Sequence, residues 1–371
     1  MNLRRWTAFL VLLLLLPLPA NAERTITITL AGDCTLGCEE KNRSNDRYFI
    51  RYAQREGYEW FFANVRHLFE QDDYTVVNLE GVLSDSPNQE NTKKIFRFRG
   101  KTDYVNILSD SGIDCVNLAN NHTQDFGSQG FDTTLAALKR AGIDHFGGRE
   151  ITVFRKDGIR IAFLGCNCFG TSAIKAFRDD KAWYETCVQT LREDGVNAIV
   201  FTFHAGDDYS LKHNALQKEC AEFAISIGCD LVVMHSSHVL QGISIINSRY
   251  VIWSLGNFCF GGNTELTKDR PSENNAKNKY SYYTAVMQVE MSFDDDGQFL
   301  GQQLKVFPAL GSSHSAGLKD TYPVNNYQPL LVSGNTAEYI LDLIRDDTDS
   351  LIIPPYNESA GCAQMPFLPA N

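Results

Sequence analysis

Basic residues are in short supply: 34 lysines and arginines stand against 45 aspartates and glutamates in 371 residues, for a formal charge of −11. A surface of that sign repels phosphate backbones and argues against nucleic acid as a partner. Proline is sparse, at eleven residues, and 43% of the chain is hydrophobic, enough for a substantial core in one large domain or two modest ones. No pair of cysteines has zinc-ribbon spacing, and no repeat or low-complexity block interrupts the chain. Nor is there an apolar run of the roughly 20 residues needed to span a bilayer. The longest, in "MNLRRWTAFLVLLLLLPLPANA", ends at about Leu16 before Pro17 and Pro19.

That opening stretch has the order of a secretory leader: a basic start, an apolar centre, and Ala20-Asn21-Ala22 as a small-x-small cleavage site. Export with removal of residues 1–22 is expected, with a retained anchor as the alternative. The mature chain then starts near Glu23 with 32 basic and 45 acidic residues, a charge of −13. Of the ten cysteines, Cys115, Cys166, Cys168, Cys229 and Cys259 sit in or beside strand-like runs, where they read as small buried apolar residues. Cys34 and Cys38 flank a turn. That leaves room for one or two bridges but not for a disulfide framework.

What the chain does have is a recurring design, an apolar run that ends in polar side chains. "TITITLAGD" ends at Asp33, "YTVVNLEG" at Glu80, "IDCVNLANNH" at Asn120, Asn121 and His122, "AIVFTFH" at His204, and "DLVVMHSSH" at His235 and His238. Between these runs, "SQGFDTTLAALKRAG" has apolar residues at helical spacing and Gly142 as a stop signal, and the stretch from Leu211 to Ile227 is helical in pattern. "ITVFRKDGIRIAFLGC" reads as two strands about a Lys156-Asp157-Gly158 turn, "RYVIWSLGNFCF" as a further run, and residues 284–310 as a late hairpin turning at Asp294–Gly297. Residues 261–280 read as a polar loop. Alternating strands and helices followed by hairpins predict an α/β fold with mixed sheets. In open α/β sheets ligands bind beyond the carboxyl ends of strands, so the polar tips are expected to share one crevice.

Carboxylates, an Asn carbonyl and neutral imidazoles together suit a divalent cation: manganese, iron, zinc or, less well, magnesium. Each residue also has a plain structural reading. Asp33 after Gly32 could be a turn former, Asn120 or Asn121 a helix cap, His122 a satisfied packing histidine, and Asn257 part of a structural turn. His67, His145 and His213 fall outside the pattern. Five polar strand ends are harder to explain as packing than any one of them.

In this order, "AGDCTLG", "VVNLEGVLSD", "VNLANNHTQDFGSQG", "FTFHAGDDY", "DLVVMHSSHVLQG" and "VIWSLGNF" resemble the CapA family of poly-γ-glutamate capsule synthesis proteins, itself similar to the calcineurin-like metallophosphoesterases. The resemblance covers roughly residues 25–260. It implies a four-layer α/β/β/α sandwich, taken as residues 23–333; residues 334–371 read as a C-terminal helix and tail, loosely held from about Ser350. It also implies an extracytoplasmic, envelope-associated role with an anionic polymer and membrane capsule-synthesis components as partners. Position by position, Asp33, Glu80, Asn121, His204 and His238 match metal ligands, with Glu80 as a possible bridge, and His122 matches a general acid. Two departures stand out. Thr35 occupies a position where phosphoesterases carry His. Ser236 stands where a ligand His is expected, with His235 one residue early and therefore expected on the opposite strand face unless the chain has left strand geometry. At most one well-held metal, or two loosely bound, is expected.

Two functions follow: a metal-dependent hydrolase acting on a phosphate ester or a poly-γ-glutamate amide bond, or a non-catalytic component that binds or assembles the polymer. The densest basic cluster, "NTKKIFRFRGK", places Arg97 and Arg99 on one face if extended, and they are expected to take an anionic substrate together with His235 and Asn257. The competing reading is a solvated edge strand guarded by lysines.

Overall fold

The computed structural model describes residues 23–262, 280–315 and 325–370, so the expected leader and most of the expected 261–280 loop lie outside the described residues. Two sheets are stacked face to face. In the larger, the strands run Leu330–Leu331, Phe299–Leu310, Tyr283–Phe293, Arg24–Thr35, Tyr74–Leu79, Cys115–Asn117 and Asp144–Phe146. Arg24–Thr35 is parallel to Tyr74–Leu79 and antiparallel to Tyr283–Phe293, so one strand joins the parallel half to the late hairpin. In the smaller, the order is Ile243–Ile246, Arg249–Ile252, Leu231–His235, Ala198–His204, Ile159–Asn167 and Thr152–Lys156, with the four inner strands parallel.

Side-chain alternation makes the layers. Ile26, Ile28, Leu30, Tyr74 and Val76 face Ile161, Phe163, Val200, Leu231 and Val233 in one buried cluster between the sheets. The intervening residues point outward. Val77, Leu79 and Val116 meet helices carrying Ile50, Leu68, Leu108 and Leu138, while Ile199, Phe201 and Val232 meet helices carrying Phe177, Val188 and Ala221. Helix, sheet, sheet, helix is the four-layer α/β/β/α order. Each fully buried large aliphatic side chain contributes about 1.5–3 kcal/mol.

The helices start and stop as their sequences dictate. Gly127–Ala141 ends at Gly142, whose left-handed backbone (φ 72°) returns its N–H to Leu138 and Lys139. Ala215–Ser226 begins later than its periodicity suggests because Asn214 and Gln217 form a reciprocal capping box there.

Three expectations change. The "RYVIWSLGNFCF" run is two strands, Arg249–Ile252 in the smaller sheet and Asn257–Phe260 beside Arg24–Thr35 in the larger. The chain crosses between sheets at Gly256, which has φ 68° and so needs no Cβ. The tail beyond Ser350 is not loose. Ala363–Gln364 and Leu368–Pro369 pair with Phe299–Leu310, and Ile353, Ala363 and Met365 are buried in the inter-sheet cluster. Ile340, Leu341 and Ile344 of the helix Gly334–Arg345 join the same cluster. All ten cysteines are free thiols, so neither of the possible bridges is formed.

Candidate metal centre

In Tyr74–Leu79, Ala198–His204 and Leu231–His235 the inner-facing row is apolar until the carboxyl end, where it turns polar. In the smaller sheet Val200, Thr202 and His204 share one parity, as do Leu231, Val233 and His235. The register sets His204 directly beside His235. His235 therefore faces the crevice, against the expectation from sequence. That expectation placed the inner face at position 236, whereas the strand's own alternation puts it at 235. The chain then leaves strand geometry, with φ 100° at Ser236 and 57° at His238, which brings His238 back to the same rim.

In the larger sheet a register shift between Ala31 and Asp33 turns Asp33 inward. Gly32 makes this possible: a Cβ there would lie 2.0 Å from the Gly256 carbonyl oxygen, which accepts the Asp33 N–H at 2.9 Å. Asn78, inner-facing like Val76, donates to Asp33 Oδ1 at 2.8 Å and accepts from Asn117 and Asn120. Thr35, in the place of a phosphoesterase histidine, donates to the Glu80 carbonyl at 2.7 Å and fixes the turn that carries Glu80.

These elements converge. Ligand atoms of Asp33, Glu80 and His204 lie within 4.8 Å of one another, and all three residues are buried. Glu80 Oε1 is 3.7 Å from His204 Nε2, 3.8 Å from His122 Nε2 and 3.9 Å from His238 Nε2. His235 Nδ1 is 3.1 Å from Asp33 Oδ1. Asn257 Oδ1 lies 2.9 Å from His238 Nδ1 and so accepts from it, while Nε2 is turned toward Glu80. His122 Nδ1 lies 2.7 Å from the buried carboxylate of Asp125, and the Phe98 ring packs 4.6 Å from its imidazole.

Buried polar atoms are normally hydrogen-bonded. Here Asp33 Oδ2, both Glu80 oxygens, Asn121 Oδ1, both His204 nitrogens and His235 Nδ1 are buried without a hydrogen-bond partner. A concentration of unpaired carboxylate, amide and imidazole atoms at one rim fits a divalent cation better than it fits packing. The electrostatics agree. Burial, then the Asp33 charge, pushes the Glu80 carboxyl well above its ordinary range. Burial would also raise Asp33, but the His235 and His238 imidazoles outweigh it and hold that carboxyl very low. Burial pushes His204 well down and His122 down, in the latter against the pull of Asp125. His238 is raised well above its usual value because Glu80 and Asp33 overcome its burial. A cation would replace the proton that Glu80 otherwise takes up beside the ionised Asp33.

Of the residues expected to bind substrate, His235 and Asn257 instead contact Asp33 and His238. Arg97 is committed to Glu90 and the carbonyls of Lys94 and Ile95, and buried Arg99 to Glu40 and the Ser84 carbonyl. Neither guanidinium stands free for an anion. Asn78 and Asp125 receive no role from sequence, and Lys94 reads only as part of the basic cluster, whereas its ammonium reaches Asp125 and the Asn121 carbonyl. Asn78 could have been suspected as an amide inside a buried apolar strand, and Asp125 from its three-residue spacing after His122.

A layered α/β/β/α protein with a carboxylate–imidazole centre at its strand ends is the class these features define. The chain belongs to the bacterial capsule synthesis protein family PGA_cap, which matches residues 27–262. It is 27% identical over 264 residues to the capsule biosynthesis protein CapA of Bacillus anthracis, covering 66% of this chain and 62% of that protein. It is 26% identical over 258 residues to the PGA biosynthesis protein CapA of Bacillus subtilis, covering 66% of each. The chain thus spans a little under two thirds of the length of these relatives. Among solved structures it is similar to a calcineurin-like phosphoesterase, YfkN of Bacillus subtilis, at 12% identity and a TM-score of 0.40, over 88% of this chain and 97% of that one.

Proposed function

We propose that the protein acts outside the cytoplasm in making an envelope polymer, and that its centre is a metal-dependent hydrolase acting on an anionic chain or phosphate ester. The observation that carries this reading is the buried set Asp33, Glu80 and His204, whose ligand atoms lie within 4.8 Å and are mostly unpartnered. The names of the Bacillus relatives favour a capsule polymer of the poly-γ-glutamate type as substrate. Membrane capsule-synthesis components are the partners this reading implies.

Asp33, Glu80, His204, His235 and His238 would hold the cation, with Asn121 Oδ1 as a further oxygen donor. When bound, it supplies Lewis-acid polarisation of a phosphoryl or carbonyl oxygen. The chain supplies the rest. Asp125 fixes the proton on His122 Nδ1, so Nε2 faces the centre and can exchange a proton with the attacking or departing group. Asn78 holds Asp33 in place through one oxygen and leaves the other free. Phe98 packs against His122, Phe260 against His238, and the two phenyl rings against each other, forming an apolar wall beside both imidazoles.

The test is hydrolysis of a chromogenic phosphodiester and of poly-γ-glutamate by manganese-loaded mature protein, alongside Asp33→Ala and His122→Ala. The reading expects turnover of one substrate, lost in both variants, with metal lost only from Asp33→Ala. Retained metal without turnover of either substrate would contradict it and leave a polymer-binding component.

A further inference from the structure

The segment before the Arg99–Gly100 strand closes onto a single carboxylate. Asn91 N–H donates to the Asp125 carbonyl at 2.8 Å, Lys94 N–H to Asn91 at 3.0 Å, and Phe98 N–H to Asp125 Oδ2 at 2.8 Å. Lys94 places its ammonium on Asp125 Oδ1 and, at 2.7 Å, on the Asn121 carbonyl. Asp125 Oδ2, besides accepting from Phe98, faces His122 Nδ1 at 2.7 Å. We propose that Lys94 is a positioning residue for His122, acting through Asp125, so that residues 91–98 are part of the reactive centre and not merely a basic surface loop. The proposal rests on reading the crevice as a hydrolytic centre.

Three observations carry it. The Asp125 side chain is completely buried, and a buried carboxylate needs a counter-charge as well as hydrogen bonds. Lys94 supplies both on Oδ1 and, with the Phe98 N–H on Oδ2, fixes the carboxylate plane so that Oδ2 can also accept from Nδ1. With Nδ1 committed to Asp125, the 3.4 Å approach of Lys94 to the same nitrogen sets two donors side by side, so Lys94 acts on the ring through the carboxylate rather than by binding it. Finally, the same segment brings the Phe98 ring against the imidazole, so that ring position and proton position are set by one piece of chain. A solvated lysine would make none of these contacts. Lys94 also stands apart from Arg97 and Arg99, which are turned to acceptors away from His122.

The experiment compares Lys94→Met and Lys94→Arg in the full mature chain. It uses metal content, steady-state kinetics on the substrate wild type turns over, and the nitrogen-15 spectrum of His122 in metal-free protein. Loss of a group that orients a reactive residue costs about 10–100-fold. For Lys94→Met we expect kcat to fall by that factor with KM and metal content unchanged, and the single Nδ1–H tautomer of wild type to become a mixture. Lys94→Arg, which keeps the charge, should recover part of kcat and the single tautomer. A rise in KM with kcat unchanged would overturn the proposal in favour of substrate binding by Lys94. A lower melting temperature with unchanged kcat and spectrum would overturn it in favour of a purely structural pair. If wild type turns over no substrate, the hydrolytic reading fails, and the His122 spectrum still decides the role of Lys94: a mixed tautomer in Lys94→Met supports it and an unchanged signal overturns it.

Discussion

Replacing Glu80 with Gln separates stability from function. Both Glu80 oxygens are buried and unpartnered, and its carboxyl is pushed well above its ordinary range by burial and by Asp33. An unsatisfied buried polar group costs about 1–3 kcal/mol, and the charged form costs more. Gln keeps the shape, cannot ionise, and can donate to neighbouring acceptors. Metal-free Glu80→Gln should therefore be more stable than metal-free wild type at pH 7, by about 1–3 kcal/mol. The pH dependence has a definite sign. A carboxyl whose folded pKa lies above its unfolded value of 4.5 contributes stability below that value and loses it as pH rises toward the folded pKa. The advantage of Glu80→Gln should thus be small at pH 4 and grow with pH. Metal reverses the order. A cation at a thousand times its dissociation constant adds about 4 kcal/mol to wild type, and most of that should vanish in the variant. Urea unfolding at several pH values, with chelator and with manganese, measures both effects. A metal-free variant less stable than wild type at pH 7, or one that keeps the full manganese shift, would refute the reasoning.

Gly32→Ala places a methyl 2.0 Å from the Gly256 oxygen, a backbone atom that cannot rotate away. We expect a loss of about 1–3 kcal/mol or more in urea unfolding, together with weaker metal retention, because Asp33 is the next residue. Arg99→Ala removes a buried guanidinium from Glu40 and the Ser84 carbonyl; it should cost about 2–4 kcal/mol, whereas Arg97→Ala should cost under about 1 kcal/mol. Neither should change affinity for poly-γ-glutamate at constant folded fraction, which titration calorimetry would show. Burial raises the Asp72 carboxyl to about 6. Its contribution to stability is present below 3.8 and lost as pH rises to about 6, so Asp72→Asn should flatten the pH–stability curve over that interval.

Most of the strands were legible because alternation and apolar runs are local signals, and their polar ends identified Asp33, Glu80, His122, His204 and His238 as candidates for one rim. What was illegible depended on register. The face of His235 follows from counting inward from Val233, but its neighbour His204 is 31 residues away in sequence and joins it only through strand pairing. The same holds for Lys94, which reaches Asp125 across 31 residues through a loop with no periodicity. Arg97 and Arg99 looked like an anion site because sequence shows charges but not partners. Glu40 and Glu90, which neutralise them, lie in segments with no motif. The tail misled for a related reason: Ala363 and Met365 are too few to make a pattern, and they are held by an edge strand formed more than fifty residues earlier.

Asp33, Glu80 and the surrounding imidazoles are proposed to share a divalent cation. Elemental analysis of the purified protein, before and after reconstitution with manganese, iron, zinc or magnesium, decides this. At least one tightly held cation per chain is expected in wild type and none in Asp33→Ala. Wild-type protein that retains none of the four after reconstitution would contradict the account.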